Sequence, residues 1–201
     1  MSQFGSSPAS NDSVAAALAA NESPSSNYVP GALAETIPAW AATTAVTPTS
    51  GDLYIWAVHL GAGESIGHVG FVTTTTAGAT LNHWWTCVAD DTYTVQACSA
   101  DQTSGAIAAS TWFSLAMSTA YVTTYSGLYY LGVMISDNSG TQPTLCGSSA
   151  GPLVAMLTGT GHPVAMLGGQ SNTGATAALA QGTVLTTPTA TADIPYLYAT
   201  N

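Results

Sequence analysis

The chain has 201 residues, 46% of them hydrophobic, which is long and apolar enough for one domain with a sizeable core. Lys and Arg are both absent against 10 acidic side chains, a formal charge of −10, and charged residues make up only 5% of the chain. Without a phosphate clamp, a guanidinium fork or a basic patch, the composition argues against nucleic-acid binding and against attraction to an anionic bilayer.

Residues 1–51 read as a low-complexity arm. Asn11 to Ala20 (NDSVAAALAA) has the composition of a short helix, with Ser10, Asn11 or Asp12 as N-cap and Pro24 as its stop. Alone it is too short to hold in water, so it must dock or stay mobile. Pro24, Pro30, Pro38 and Pro48, spaced among Ser and Thr, make the rest an extended connector, with Trp40 as an anchor. Residues 1–30 lack a basic leader followed by an apolar stretch, and no run of about 18 apolar residues occurs. The expectation is synthesis in the cytoplasm and no membrane partner.

From Leu53 the pattern becomes short strands at regular intervals: Leu53–Leu60, Ile66–Thr75, Leu81–Val88, Thr92–Cys98, Thr111–Met117, Tyr121–Tyr125 and Gly127–Ile135. Turn signals separate them at Gly61 to Gly63, Gly78, Asp90-Asp91, Ser104-Gly105 and Ser126-Gly127. The stretch 126–135, SGLYYLGVMI, is apolar on both faces. Leu128, Tyr130 and Met134 point one way, and Tyr129, Leu131, Val133 and Ile135 the other. It therefore reads as the central, doubly buried strand of an all-β, antiparallel, jelly-roll-like β-sandwich spanning residues 52–201. Asp137 to Gly140 reads as a turn-rich link, and residues 147–192 as a Gly/Ala/Thr-rich loop region. Ile194–Ala199 (IPYLYA) pairs back into the sheet.

The three cysteines are an odd number and suggest no disulfide framework. A turn at Asp90-Asp91 sets Cys87 against Thr94 and Cys98 against His83, leaving the sulfurs about 13 Å apart. Free, buried thiols are expected.

Candidate chemistry is sparse. Gly147-Ser148-Ser149-Ala150-Gly151 matches a nucleophile-elbow pattern, but Pro152 follows at once and His162 precedes Asp193, the reverse of the order that motif needs. A flexible turn is the preferred reading. His59 and His68 become cross-strand neighbours if Gly61–Ser65 is a hairpin loop, yet no third metal ligand is evident, and His83 and Cys87 are too far apart along one strand. Asp52, Glu64, Asp90, Asp91 and Asp101 fall mostly in loops, and nothing pairs two of them across a substrate or spaces them for calcium. No cofactor and no catalytic set is expected. The aromatics are the better lead. Trp84 and Trp85 are adjacent on one strand, so one faces the core while the other faces outward, toward a sugar or a protein partner, unless both faces are covered. Trp56 and Trp112 read as core.

GHVGFVTTTTAGATLNHWW, SADQTSGAIAASTWFSLAM, YVTTYSGLYYLGVMI and QPTLCG resemble a β-rich module of virion structural proteins, of minor tail and fibre type, from phages infecting actinobacteria. The resemblance covers residues 53–147, echoes in IPYLYAT, and leaves the arm outside. It implies a virion location, other virion proteins as partners and a homo-oligomer, a trimer by family analogy. It carries no functional residues over. The expected role is a tail or fibre-type structural protein with possible contact to a host-surface glycan. A capsid decoration or head-fibre protein and a carbohydrate-binding module are the alternatives.

Overall fold

A computed structural model describes residue 29 and residues 31–149, 168–171, 177–189, 191 and 193–201. The described residues form twelve strands: β1 (Ala32–Glu35), β2 (Thr44–Val46), β3 (Leu53–Leu60), β4 (Ser65–Val72), β5 (Ala79–Asp90), β6 (Val95–Cys98), β7 (Trp112–Val122), β8 (Gly127–Thr141), β9 (Leu145–Ser149), β10 (Gly168–Ser171), β11 (Asp193–Pro195) and β12 (Leu197–Thr200). They build a four-stranded sheet, β1-β12-β4-β7, packed against a five-stranded one, β10-β3-β8-β5-β6, with a small third sheet, β11-β9-β2. All pairings are antiparallel. The protein is an all-β sandwich. The helix expected at residues 11–20 lies outside the described residues.

β8 is the central strand of the five-stranded sheet, as its apolar pattern requires. Tyr129, Leu131, Val133 and Ile135 enter the core between the two large sheets. Tyr130 and Met134 enter a second core on the opposite face, with Leu128 packed against it. That second face is closed by Ala178, Leu179 and Leu185, from the segment that reads as loop in the sequence. Backbone bonds from Val95 to Thr183 (2.9 Å) and from Leu185 to Tyr93 (2.9 Å) hold this segment beside β6. Opposite Cys87, β8 carries Gly132, where a Cβ would stand 2.7 Å from the Cys87 sulfur and 3.0 Å from Ile55 Cγ2. The glycine makes room for its neighbours.

Four sequence expectations are corrected. β8 continues through Asp137 to Thr141, because β5 begins at Ala79 and offers partners for that stretch, with register shifts between Ala79 and His83. Thr111–Met117 and Tyr121–Tyr125 are not two strands. They merge into β7, where Met117 to Ala120 oppose the single residue Gly67 in a wide bulge. Met117 follows Phe113 and Leu115 onto the inner face by alternation, and its bridge to Ser99 stitches the edge of one large sheet to the end of the other. Residues 32–46, read as connector, supply β1 and β2, which pair with β12 and β9.

The fourth correction is the β5–β6 register, in which Cys87 pairs with Cys98 and not with Thr94. The loop is longer than the Asp90-Asp91 turn because the Asp90 carboxylate organises it. Asp90 Oδ1 accepts from Thr92 N at 2.9 Å, Thr92 Oγ1 at 2.7 Å and Thr94 N at 3.0 Å, and Oδ2 accepts from Gln96 Nε2 at 2.7 Å. Tyr93 takes a positive φ of 62° within it. The thiols themselves are free, as expected, with Cys87 and Cys98 buried.

Truncating the central strand has a definite expected cost. Leu131→Ala should lower unfolding free energy by about 2–5 kcal/mol through lost burial and a residual cavity. Gly132→Ala should cost about 1–3 kcal/mol by overpacking against Cys87 and Ile55. Urea titration followed by tryptophan fluorescence measures both, and a neutral Gly132→Ala would mean that the neighbours yield freely.

Candidate functional site

Both adjacent tryptophans of β5 are core. Trp84 sends its Nε1–H to the Gly105 carbonyl at 3.1 Å and packs edge-on to Phe71 and Phe113, at centroid distances of 6.0 and 5.6 Å. Trp85 is fully buried in the second core. β5 is covered on both faces, so neither ring is available to a ligand or a partner. The residues SADQTSGAIAAS contribute to this burial by carrying Gly105 to the Trp84 indole and by placing Ile107 in the core.

The exposed aromatic rings lie elsewhere. Trp112, which reads as core in the sequence, is 51% exposed at the start of β7, and Trp40 is 72% exposed. Trp112 alternates with Phe113, whose ring stacks on Phe71 inside the sandwich, so Trp112 points to the outer face of the four-stranded sheet. There it meets Tyr196 at 6.1 Å and 90°, and Tyr198 at 5.8 Å and 56°.

Tyr198 fixes this face to the sheet. Its hydroxyl donates to the Phe113 carbonyl at 2.8 Å, and its ring lies across Gly70, where a Cβ would come within 2.3 Å of Tyr198 Cζ. Only glycine at position 70 admits the ring. Tyr196 donates its hydroxyl to Glu35 Oε1 at 2.8 Å, which ties β1 to the same cluster. Val72, Tyr196 and Tyr198 form a small core of their own, against which Val29, Ile37, Ala39 and Ala42 pack. Trp40 lies between two of those covering residues, on a single 3-10 turn spanning Ala39–Ala41. Trp112 contacts the tyrosine cluster directly, and Trp40 is a chain neighbour of residues that cover it.

Burial sets the electrostatics of the face. Desolvation pushes the Glu35 carboxyl above the usual carboxylate range, against smaller opposing effects of the Tyr196 hydroxyl and the Ala39 amide. The Tyr196 phenol is also raised, first by burial and then by the neighbouring Glu35.

The remaining candidates do not converge. His59 on β3 and His68 on β4 are not cross-strand neighbours. β3 pairs with β8 and β10, whereas β4 pairs with β12 and β7, so the Gly61–Glu64 connection carries the chain from one sheet to the other. His68 Nδ1 lies 3.3 Å from the Asn201 carbonyl, and His83 Nδ1 lies 2.6 Å from Asp101 Oδ2. Among the described residues, no three His, Cys, Asp or Glu side chains gather as a metal site. Ser149 pairs with Asp193 in the small sheet, while Gly151 and His162 of the elbow pattern lie outside the described residues. Among the described residues no helix is long and apolar enough to cross a membrane. Comparison with family models, with curated proteins and with solved structures gives no match.

The Glu35 shift has a sign that can be checked. A carboxyl raised in the folded state favours the protonated protein, so the stability it contributes is complete below its unfolded value and is lost as pH rises through the folded value. Glu35→Gln keeps an oxygen acceptor for Tyr196 and removes that loss. Its melting temperature should equal or exceed the parent's at neutral pH, with the difference vanishing at about pH 4. Thermal unfolding across that range by circular dichroism tests this, and a deficit independent of pH would count against it.

Proposed function

We propose that this chain is a structural protein of a phage virion, displayed on the particle surface, with a minor tail or tail-fibre position as the first choice and capsid decoration or head fibre as the alternative. The reading rests on the resemblance over residues 53–147, and one observation carries it furthest. That stretch makes the body of the sandwich, β3 to β8 and the start of β9. Its buried apolar side chains fall mainly in the two large cores, with Trp112 and Val122 as its large exposed apolar groups. On this reading the protein is a non-catalytic, protease-resistant display module. It is made in the host cytoplasm and incorporated with other virion proteins, and absence of Lys and Arg removes every trypsin site. Self-association, as a trimer by analogy, would cover exposed apolar surface of this kind.

A second reading, glycan binding, is favoured by one feature. Trp112 presents an indole at the surface, braced by two tyrosines, and such a ring stacks on the apolar face of a sugar. The two readings overlap if the virion protein contacts the host surface.

Gold-labelled antibody to residues 53–147, applied to intact particles, is the direct test. Label at the tail supports the adsorption-side role, uniform label on the head makes it a capsid decoration protein, and unlabelled particles overturn the virion reading. Light scattering at micromolar concentration should return a multiple of the chain mass, and a monomer would count against self-association. For the glycan reading, titration with cell-wall polysaccharide should quench tryptophan fluorescence saturably, and Trp112→Ala should weaken the response about tenfold or more, equivalent to at least about 1.4 kcal/mol. An unchanged response would remove Trp112 from the site.

A further inference from the structure

We propose that Cys87 and Cys98 form a cross-strand oxidation site that closes to a disulfide when the protein meets a peroxide-class oxidant. The two residues are direct partners in the β5–β6 ladder. One step along, the Ser99 amide donates to the Thr86 carbonyl at 2.9 Å, which places the hydrogen-bonded pair there. Cys87 and Cys98 therefore occupy the adjacent narrow site, where Cα atoms stand about 4.5 Å apart and side chains approach most closely. That spacing falls within the range of about 4.4–6.8 Å that a disulfide takes.

Both side chains belong to the second core and point to the same face, so closure requires no turn of either strand. Contact with Cys98, followed by burial, holds the Cys87 thiol well above its ordinary range. Cys98 sits at the end of β6, the edge strand of its sheet, and retains slight exposure, whereas Cys87 has none. Cys98 is therefore the sulfur that meets the oxidant first.

The chemistry balances without further reagents. The Cys98 sulfur attacks the peroxide O–O bond, takes one oxygen as a sulfenic acid and releases water. The Cys87 sulfur then displaces that hydroxyl, which leaves as a second water with the Cys87 proton, and the S–S bond forms. Two thiols lose two electrons and hydrogen peroxide is reduced to two waters. The bond would tie edge strand β6 covalently to β5, beneath the cover of Ala178, Leu179 and Leu185. This inference rests on strand register alone and does not depend on the virion reading.

The test uses the intact chain treated with hydrogen peroxide under native conditions, then unfolded and alkylated. Alkylatable thiols should fall from three to one, the survivor being Cys146, and intact mass should drop by two hydrogen atoms. Trypsin has no site in this chain, so chymotrypsin is used; cleavage after Tyr93 separates the two cysteines and reveals the link as a joined peptide pair. Dithiothreitol should restore all three thiols. Cys146→Ser should leave the link intact, and Cys98→Ser should abolish it. Sulfinic or sulfonic acid on either cysteine without a link, a link through Cys146, or three thiols still alkylatable would each overturn the proposal.

Discussion

The structure depends on one strand being dry on both sides. β8 lies between β3 and β5 and feeds a separate hydrophobic cluster from each face. A strand in that position cannot satisfy its backbone with water, so its ladders must be complete. Its pairing with β5 runs from Ala79↔Thr141 to Asp90↔Tyr129, the full length of β5. Beyond Ile135 the strand leaves the core, and the polar residues from Ser136 to Thr141 stay in strand because β5 between Ala79 and His83 offers them partners, with two register shifts.

A chain with no Lys or Arg must hold its carboxylates by other means, and the described residues show how. Asp90 is surrounded by backbone amides, a hydroxyl and the Gln96 amide. Glu64 Oε2 accepts from the Gly61 amide at 2.9 Å and so closes the turn that moves the chain between sheets. Glu35 takes the Tyr196 hydroxyl, and Asp101 takes His83. Each of these four carboxylates fixes a local turn or joins two elements.

Much of the framework was legible in the residues themselves. β3 matches its expected span from Leu53 to Leu60, the two-faced division of residues 128–135 holds side chain by side chain, and the closing IPYLYA does return to the sheets as β11 and β12. The candidate face was not legible. Trp112 looks like any aromatic in an apolar strand, and its exposure follows from β7 being an edge strand whose outer face, among the described residues, has no third layer over its start. Trp84 and Trp85 failed as surface candidates for the complementary reason: β5 is interior to its sheet and covered on both sides. Gly70 offered a faint signal, since a glycine within an apolar strand often marks a close approach, here by the Tyr198 ring.

Local periodicity and composition suffice for the class of fold, the identity and facing of the central strand, and the lack of any Lys or Arg chemistry. The hairpin register that pairs Cys87 with Cys98, the assignment of β3 and β4 to different sheets, and the outward turn of Trp112 emerge from the folded chain alone. The reason is that each of these depends on non-local balance. Register is set by how the Asp90 carboxylate gathers its loop, and sheet membership by which distant strand satisfies a free edge. Exposure is set by what the rest of the chain leaves uncovered.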